Sequence, residues 1–390
     1  MPDSLKGILT THAGSLPRPR SLISLLTHRY SGDAIEEVAL AQAIEDASRT
    51  ALAKQLEVGL DIVNNGEMGR ESFFTYLQHR MTGFSGTGTR PIMADLRRYP
   101  GSLERRRQAM GSDERVDLLK APKATGEVHY KNPTPIEQEC QQLKQLLDET
   151  GGGFNGAFMS SPSPGIIAAG MQNEYYENLE LYVTALGEAL RTEYTTIAAA
   201  GFILQIDAPD LALERHTLFQ DKPLSEFLTF VRMVAAAINK ALTGIPREQV
   251  RLHVCWGNYE GPHDYDVPLE DIWPEISQIN TGAFLLSMAN PRHAHEYRLF
   301  EDPAFLSDRV LIPGVIETTT NYVEHPQVVA DRIERIAKAV GDPSRIIAGT
   351  DCGFETAAGS KMVVEEIVWA KLRSLSEGAA IASKRLGYLV

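Results

Sequence analysis

Cysteine is scarce in this chain, with three in 390 residues: Cys140, Cys255 and Cys352, far apart in sequence. That is too few for a disulfide framework, so a packed core must hold the fold. Long apolar runs are also missing. No stretch approaches the about 20 apolar residues that a membrane-spanning helix needs. The N-terminal segment lacks the basic start, apolar run and small-residue cleavage site of a secretory leader. Cations are outnumbered, 38 Lys and Arg against 51 Asp and Glu, for a net charge of −13. So acidic a surface repels phosphate backbones and anionic lipid, which argues against nucleic-acid and membrane partners. Fixed-period repeats and low-complexity tracts are absent too. Together these absences predict a cytoplasmic protein that works on small molecules.

What the chain does have is apolar material, 43% of its residues, enough for a large core. Short β-branched runs recur near 8–12, 61–65, 155–159, 202–207, 251–255, 283–287, 310–316 and 345–350. Helical patterns fall between them, at 34–57, 71–80, 173–200, 224–243, 269–278, 293–300, 326–340 and 361–382. Helix starts are expected at Asn173 and at Pro326, behind Glu324 and His325. Eight β–α units in order predict an α/β fold of the TIM-type (β/α)8 barrel kind, one catalytic domain over residues 1–390. One interval breaks the rhythm. Residues 81–132, rich in Gly, Pro and Arg, predict an insertion after the second unit, a hairpin with a short helix at 102–110. So long an excursion needs a job, as a lid or as a contact in a homo-oligomer. The run Arg105–Arg107 reads as a solvated face.

In such a barrel the C-terminal strand ends face the active site. Here those ends carry THAGSLPRP (11–19), NNGEMGR (64–70), MSSPSPG (159–165), QIDAPD (205–210), HVCWGNYEGPH (253–263), SMANPRHAHE (287–296), VIETTTN (315–321) and GTDCGFE (349–355). His253 and Cys255 stand two apart on a strand and so share one face. Cys352 follows the eighth strand, and a barrel top gathers such ends. One imidazole and two thiolates suit Zn²⁺, and three protein ligands leave the open position of a catalytic zinc. The bland alternative is a core histidine beside two inert thiols. The third donor, at a separate strand end, favours zinc. A free thiol, with its pKa of about 8.5, is mostly protonated at neutral pH. Zinc would hold it as a thiolate; the same residues would equally activate water.

Other residues divide between functional and structural roles. Glu67 and Asp207 form a carboxylate pair suited to a substrate ammonium, or else serve as caps and salt bridges. Ser15, in the Gly14-Ser15 turn, offers its N–H and hydroxyl to a substrate anion. Trp256, Tyr259 and His263 are expected to line the pocket mouth. His12 suits a structural or a pocket role equally. His293, His295 and Glu296 are read as helix-start capping and surface contacts, and Cys140, in a polar helical stretch, as incidental.

At these residues the sequence resembles the cobalamin-independent methionine synthase family, through GSLPRP, NGE, QID-P, HVC and DCG in that order. It resembles the catalytic barrel forming the C-terminal half of the long enzymes, and especially short one-barrel members near the epoxyalkane:coenzyme M transferases. The resemblance implies that His253, Cys255 and Cys352 hold zinc, and that Ser15, Glu67 and Asp207 contact the amino-acid part of a homocysteine-like thiol. Three departures stand out. Met288 occupies the place of a family glutamate ligand, Thr319 that of the histidine expected to protonate the leaving group, and Ala208 that of the acidic residue in QIDEP. The second barrel, which helps the long enzymes build a folate site, is missing. The implied activity is a zinc-dependent S-alkyltransferase joining a small thiol to a methyl or epoxide-like donor, with Asp207, Glu317 and Thr319 nearest the chemistry and Trp256 beside the substrate. A metal-free lyase like uroporphyrinogen decarboxylase, using Asp207, Glu317 and Arg292, is one alternative. A barrel retained only for binding is the other.

Overall fold

The computed structural model describes residues 7–110 and 114–388, without the side chains of 106–110. Its strands in chain order are β1 (Leu9–Thr10), β2 (Ile62–Val63), β3 (Phe84–Ser85), β4 (Lys123–Ala124) and β5 (Gly156–Pro162). They continue with β6 (Ile203–Asp207), β7 (Val250–Val254), β8 (Ala283–Leu286), β9 (Val310–Ile316) and β10 (Ile347–Thr350). Eight of them form one sheet in the order β1-β10-β9-β8-β7-β6-β5-β2, parallel throughout. A parallel bridge between Thr11 and Ile62 joins the two ends, so the sheet closes into the expected barrel.

Strand alternation decides which side chains reach the interior. On β7, Val250, Leu252 and Val254 enter the main apolar core under the helices. The intervening Arg251 turns inward and crosses the barrel to Thr11 and His12 beside β1. A second, small apolar cluster of Ala13, Leu285 and Ile312 fills part of the barrel interior. The site therefore sits on a floor of mixed polar and apolar layers.

Six of the expected helices stand within a few residues of their predicted bounds: Glu37–Glu57, Leu179–Ala199, Leu224–Ala241, Leu269–Ile276, Pro326–Val340 and Glu365–Arg385. The helix expected from Asn173 starts instead behind Asn178, whose side chain accepts the Leu181 N–H. Asn173 ties a turn upstream by accepting from the N–H groups of Tyr175 and Tyr176. The helix expected over 71–80 shrinks to Leu77–Arg80, because Ser72 bridges Ala357 and Phe73 N–H donates to Thr356. Residues 293–300 make turns and the 3-10 stretch Glu296–Glu301 in place of an α-helix. Helix Arg20–Ser31 was not among those expected, and the polar helical stretch around Cys140 is the helix Thr134–Glu149. Among the described residues no helix is long and apolar enough to cross a membrane.

The excursion contains the anticipated hairpin, β3 antiparallel to β4, with helices Ala94–Arg98 and Pro100–Met110 between its strands. It lies over the C-terminal mouth of the barrel. Arg90 pairs with Glu214, the Tyr259 hydroxyl donates to Asp95 at 2.5 Å, and Tyr99 donates to Asp264 at 3.0 Å. Arg105 meets Glu260 at 3.4 Å and is largely exposed at the rim of the cleft in that mouth; the side chains of Arg106 and Arg107 lie outside the described residues.

Candidate active site

A cleft of about 1310 Å³ opens at the barrel's C-terminal mouth. His253, Cys255 and Cys352 stand among its lining groups with Ser15, Glu67, Asp207 and Thr319. The excursion supplies Arg90, Ile92, Met93, Leu96, Val116 and Leu119 from above, so it acts as a cover for the cleft.

The three expected ligands converge. The donor atoms of His253, Cys255 and Cys352 lie within 4.8 Å of one another, and all three residues are buried. Hydrogen bonding with Cys352 and the nearby His253 charge hold Cys255 well below the ordinary thiol range, against burial. Cys352 is pushed the other way by its bond to Cys255 and by burial. Burial opposes a charge on His253, but the Cys255 thiolate and Asp207 outweigh it and raise the ring to about 10. One imidazole and two thiols, with Cys255 favoured as the thiolate, form a donor set that fits Zn²⁺.

The acidic pair flanks this cluster. Glu67 adopts a left-handed backbone, φ 59°, which a side chain other than glycine enters only when its surroundings compel it. The compulsion is visible: Asn65 Oδ1 accepts the Glu67 N–H at 3.0 Å, and Arg18 donates to the Glu67 carbonyl at 2.9 Å. Glu67 Oε1 accepts from the Ser160 hydroxyl at 2.6 Å, whereas its buried Oε2 has no hydrogen-bond partner among the described residues. Burial and the neighbouring Asp207 raise the Glu67 pKa. Gly14 makes room for this carboxylate: its φ is +135°, and a Cβ there would lie 2.4 Å from Glu67 Oε1. Asp207 Oδ1 accepts from Gln205 at 2.7 Å and faces His253 Nδ1 at 3.0 Å. The Ser15 hydroxyl accepts from the Glu355 N–H at 3.3 Å.

Several other expectations need correction. Trp256 does not line the cleft; it is buried, stacked on His293 at 3.7 Å, with its indole N–H on the Val267 carbonyl at 2.7 Å. It stands one residue beyond Cys255, so alternation sends it to the opposite face. Glu317 is also absent from the lining. Its two carboxylate oxygens accept from the N–H and hydroxyl groups of Thr319 and Thr320, which makes it the brace of that turn. Thr319 does line the cleft, with its hydroxyl spent on Glu317. Tyr259 lines the cleft but His263 does not. His12 takes the structural of its two roles: fully buried, it bonds Gln55 at 2.9 Å, and burial lowers it to about 3. Met288 packs in the main core, and Cys140 is buried against Met159 on the inner face of its helix. Arg251 and Gln205, on the inner faces of β7 and β6, were missed; their parity with His253 and Asp207 was the available signal.

His293 and Glu296, read as surface groups, are buried instead. His293 sits between Glu296 at 2.9 Å and Asp266 at 2.8 Å, and Asp266 also bonds His263 at 2.9 Å. Burial disfavours charge on His293, but bonds to Asp266 and Glu296 prevail and raise it from 6.5 to about 9. A raised histidine contributes its full stabilisation below the unfolded value and loses it as pH climbs through the folded one. At about 1.4 kcal/mol per unit, this amounts to up to a few kcal/mol. The stability gap between wild type and His293→Gln is therefore expected to narrow from pH 6.5 to 9.5. Thermal unfolding of both proteins across that range checks it; a constant gap contradicts it.

A family model described as the catalytic domain of cobalamin-independent synthase matches residues 119–371, which include Asp207 and all three converging donors. The methionine synthase of Thermococcus kodakarensis is 27% identical over 380 residues, covering 97% of this chain and 94% of that protein. The methionine synthase of Saccharolobus solfataricus is 25% identical, covering 98% of this chain and 97% of its own length. Among solved structures, the B12-independent methionine synthase from Shewanella sp. W3-18-1, in complex with selenomethionine, matches with a TM-score of 0.74 at 21% identity. That match covers 98% of this chain and 100% of the other, and it shows the barrel to be the same fold. The chain belongs to the cobalamin-independent methionine synthase family and is a methyltransferase-class enzyme.

Proposed function

We propose that this enzyme is a zinc-dependent S-alkyltransferase acting on a small amino-acid thiol of the homocysteine kind. The observation that carries the reading is the convergence of His253, Cys255 and Cys352 within 4.8 Å on the wall of a covered cleft. Relatives named methionine synthase, and a neighbour solved with selenomethionine, favour an amino-acid thiol. Zn²⁺ bound to these donors supplies the Lewis acidity that keeps a substrate thiol deprotonated at neutral pH.

The chain's own groups do the rest. Asp207 accepts a hydrogen bond from His253 Nδ1 and so leaves Nε2, which meets the Asp351 carbonyl at 3.2 Å, as the nitrogen that would turn to a metal. The unpartnered Glu67 Oε2, beside Asp207, receives the substrate ammonium, and Ser15 lies close enough to meet its carboxylate. The excursion keeps water from the exposed sulfur nucleophile. As the new S–C bond forms, the donor's carbon–heteroatom bond breaks and its electron pair leaves with the heteroatom. The lyase alternative loses support, because Arg292 and Glu317 both lie outside the cleft lining.

Glu67→Gln tests the reading. A hydrogen bond to a charged group contributes about 1.5–3 kcal/mol, so kcat/KM for an amino-acid thiol should fall roughly 10–100-fold, mostly through KM. Zinc content should not change, and a thiol without an amine should lose little. Equal losses for both thiols would contradict the assignment. The raised Glu67 pKa adds a pH signature: the carboxylate must be ionised to hold an ammonium. Amino-thiol affinity should therefore fade on acidification earlier than for an ordinary carboxylate site.

A further inference from the structure

We propose that Arg251 is a positioning residue that acts through Gln205 to fix Asp207 and thereby the tautomer of His253. The inference rests on the reading of His253 as a metal ligand. The parallel register pairs Gln205 with Arg251 and Asp207 with His253, so the four side chains occupy two successive inward-facing layers of β6 and β7. Arg251 is 2% exposed. Its Nε donates to Gln205 Oε1 at 2.8 Å, and its terminal nitrogens donate to Thr11 Oγ1 at 3.1 Å and the His12 carbonyl at 3.0 Å. Its guanidinium lies 3.7 Å from the centre of the Phe158 ring.

All those acceptors are neutral. A buried guanidinium without a direct ion pair is an expensive filler, and the neighbouring layer of Ala13, Leu285 and Ile312 shows that apolar side chains fill this barrel as well. What an arginine adds is direction. A glutamine amide can turn over, exchanging its oxygen and nitrogen with almost no change of shape. Arg251 Nε–H can only donate, so it holds the Gln205 oxygen toward itself. The Gln205 NH₂ must then face the other way, where it donates to the Ala13 carbonyl at 2.6 Å and to Asp207 Oδ1 at 2.7 Å. Anchored there, Asp207 Oδ1 meets His253 Nδ1 at 3.0 Å and keeps the proton on that nitrogen. His253 Nε2 faces the Asp351 carbonyl at 3.2 Å and the Cys352 sulfur at 4.0 Å, so with Nδ1 held by Asp207 it is Nε2 that a metal would take from that carbonyl. A reversed Gln205 would set a carbonyl oxygen against the Asp207 carboxylate and push it from the imidazole.

The test compares wild type with Arg251→Met, Arg251→Lys and Gln205→Glu. Zn²⁺ affinity is read by chelator competition, and ligand-field absorption by Co²⁺ substitution. Losing an outer partner of a metal-bound histidine typically weakens metal binding about 10–100-fold. Arg251→Met and Gln205→Glu should each show that loss with an altered Co²⁺ spectrum, and Arg251→Lys, still a donor, should recover part of it. Gln205→Glu keeps the side-chain volume and an acceptor for Arg251, so it remains informative if Arg251→Met does not fold. Wild-type affinity and spectrum in folded Arg251→Met or Gln205→Glu would overturn this inference alone. A wild-type protein that binds no metal would overturn the functional reading and this inference with it.

Discussion

Cys352→Ser is expected to leave the protein folded and nearly free of zinc. Wild type should carry close to one zinc per chain. The cysteine is buried at the end of β10, and serine is smaller, so the backbone has no reason to move. A serine hydroxyl, however, stays protonated near neutral pH and is a poor ligand beside one imidazole and one thiolate. Structural zinc sites are worth about 10–16 kcal/mol in all, so one thiolate's share is several kcal/mol, on the order of 10³-fold in affinity. Thiol alkylation should fall with it. Cys140→Ser is the control: that sulfur packs against Met159, away from the cleft, and zinc content should not change. Full zinc in Cys352→Ser would remove the third ligand from the account.

The second large effect concerns the donor. Methyltetrahydrofolate carries a poor leaving group that needs a proton as its carbon–nitrogen bond breaks. At the position that the resemblance assigns to a proton-donating histidine, this chain has Thr319, whose hydroxyl already donates to Glu317. Glu317 does not substitute as the acid, because its oxygens are engaged by Thr319 and Thr320 and it lies outside the cleft lining. A well-placed general acid is worth about 10²–10⁴ in rate. Methyl transfer from methyltetrahydrofolate to homocysteine should therefore be slower by that order than alkylation by a strained, epoxide-like donor that needs less proton assistance. Both rates should be measured on one zinc-loaded preparation. Efficient methionine formation from the folate would show that another group supplies the proton.

All eight barrel strands were legible because each is a short apolar run ending in polar and Gly/Pro residues. The convergence of His253, Cys255 and Cys352 was legible for a related reason: the i, i+2 spacing of His253 and Cys255 fixes one face, and barrel closure brings Cys352 to it. The misses share a cause. Trp256 and Glu317 were judged by their nearness to strand ends, when strand parity sends Trp256 outward and local N–H groups capture Glu317. The same parity would have marked Arg251 and Gln205. Helix Thr134–Glu149 carried a readable stripe in Ile136, Cys140, Leu143 and Leu146, obscured by counting Cys140 as part of a polar stretch. The shortened helix at 71–80 was not readable, since what interrupts it is a bridge to Ala357, nearly three hundred residues away. His293 and Glu296 were misplaced because their burial depends on Asp266, contributed by a different loop.

If His253, Cys255 and Cys352 hold a zinc that accepts the substrate's sulfur, the metal's own neighbours will report it. Zinc-edge X-ray absorption on the purified enzyme, with and without homocysteine, tests it most directly. The free enzyme should show bound zinc with two sulfur neighbours and at least one nitrogen neighbour, and a third sulfur once the thiol is added. A protein without zinc, or a zinc whose sulfur count does not change with the thiol, would contradict it.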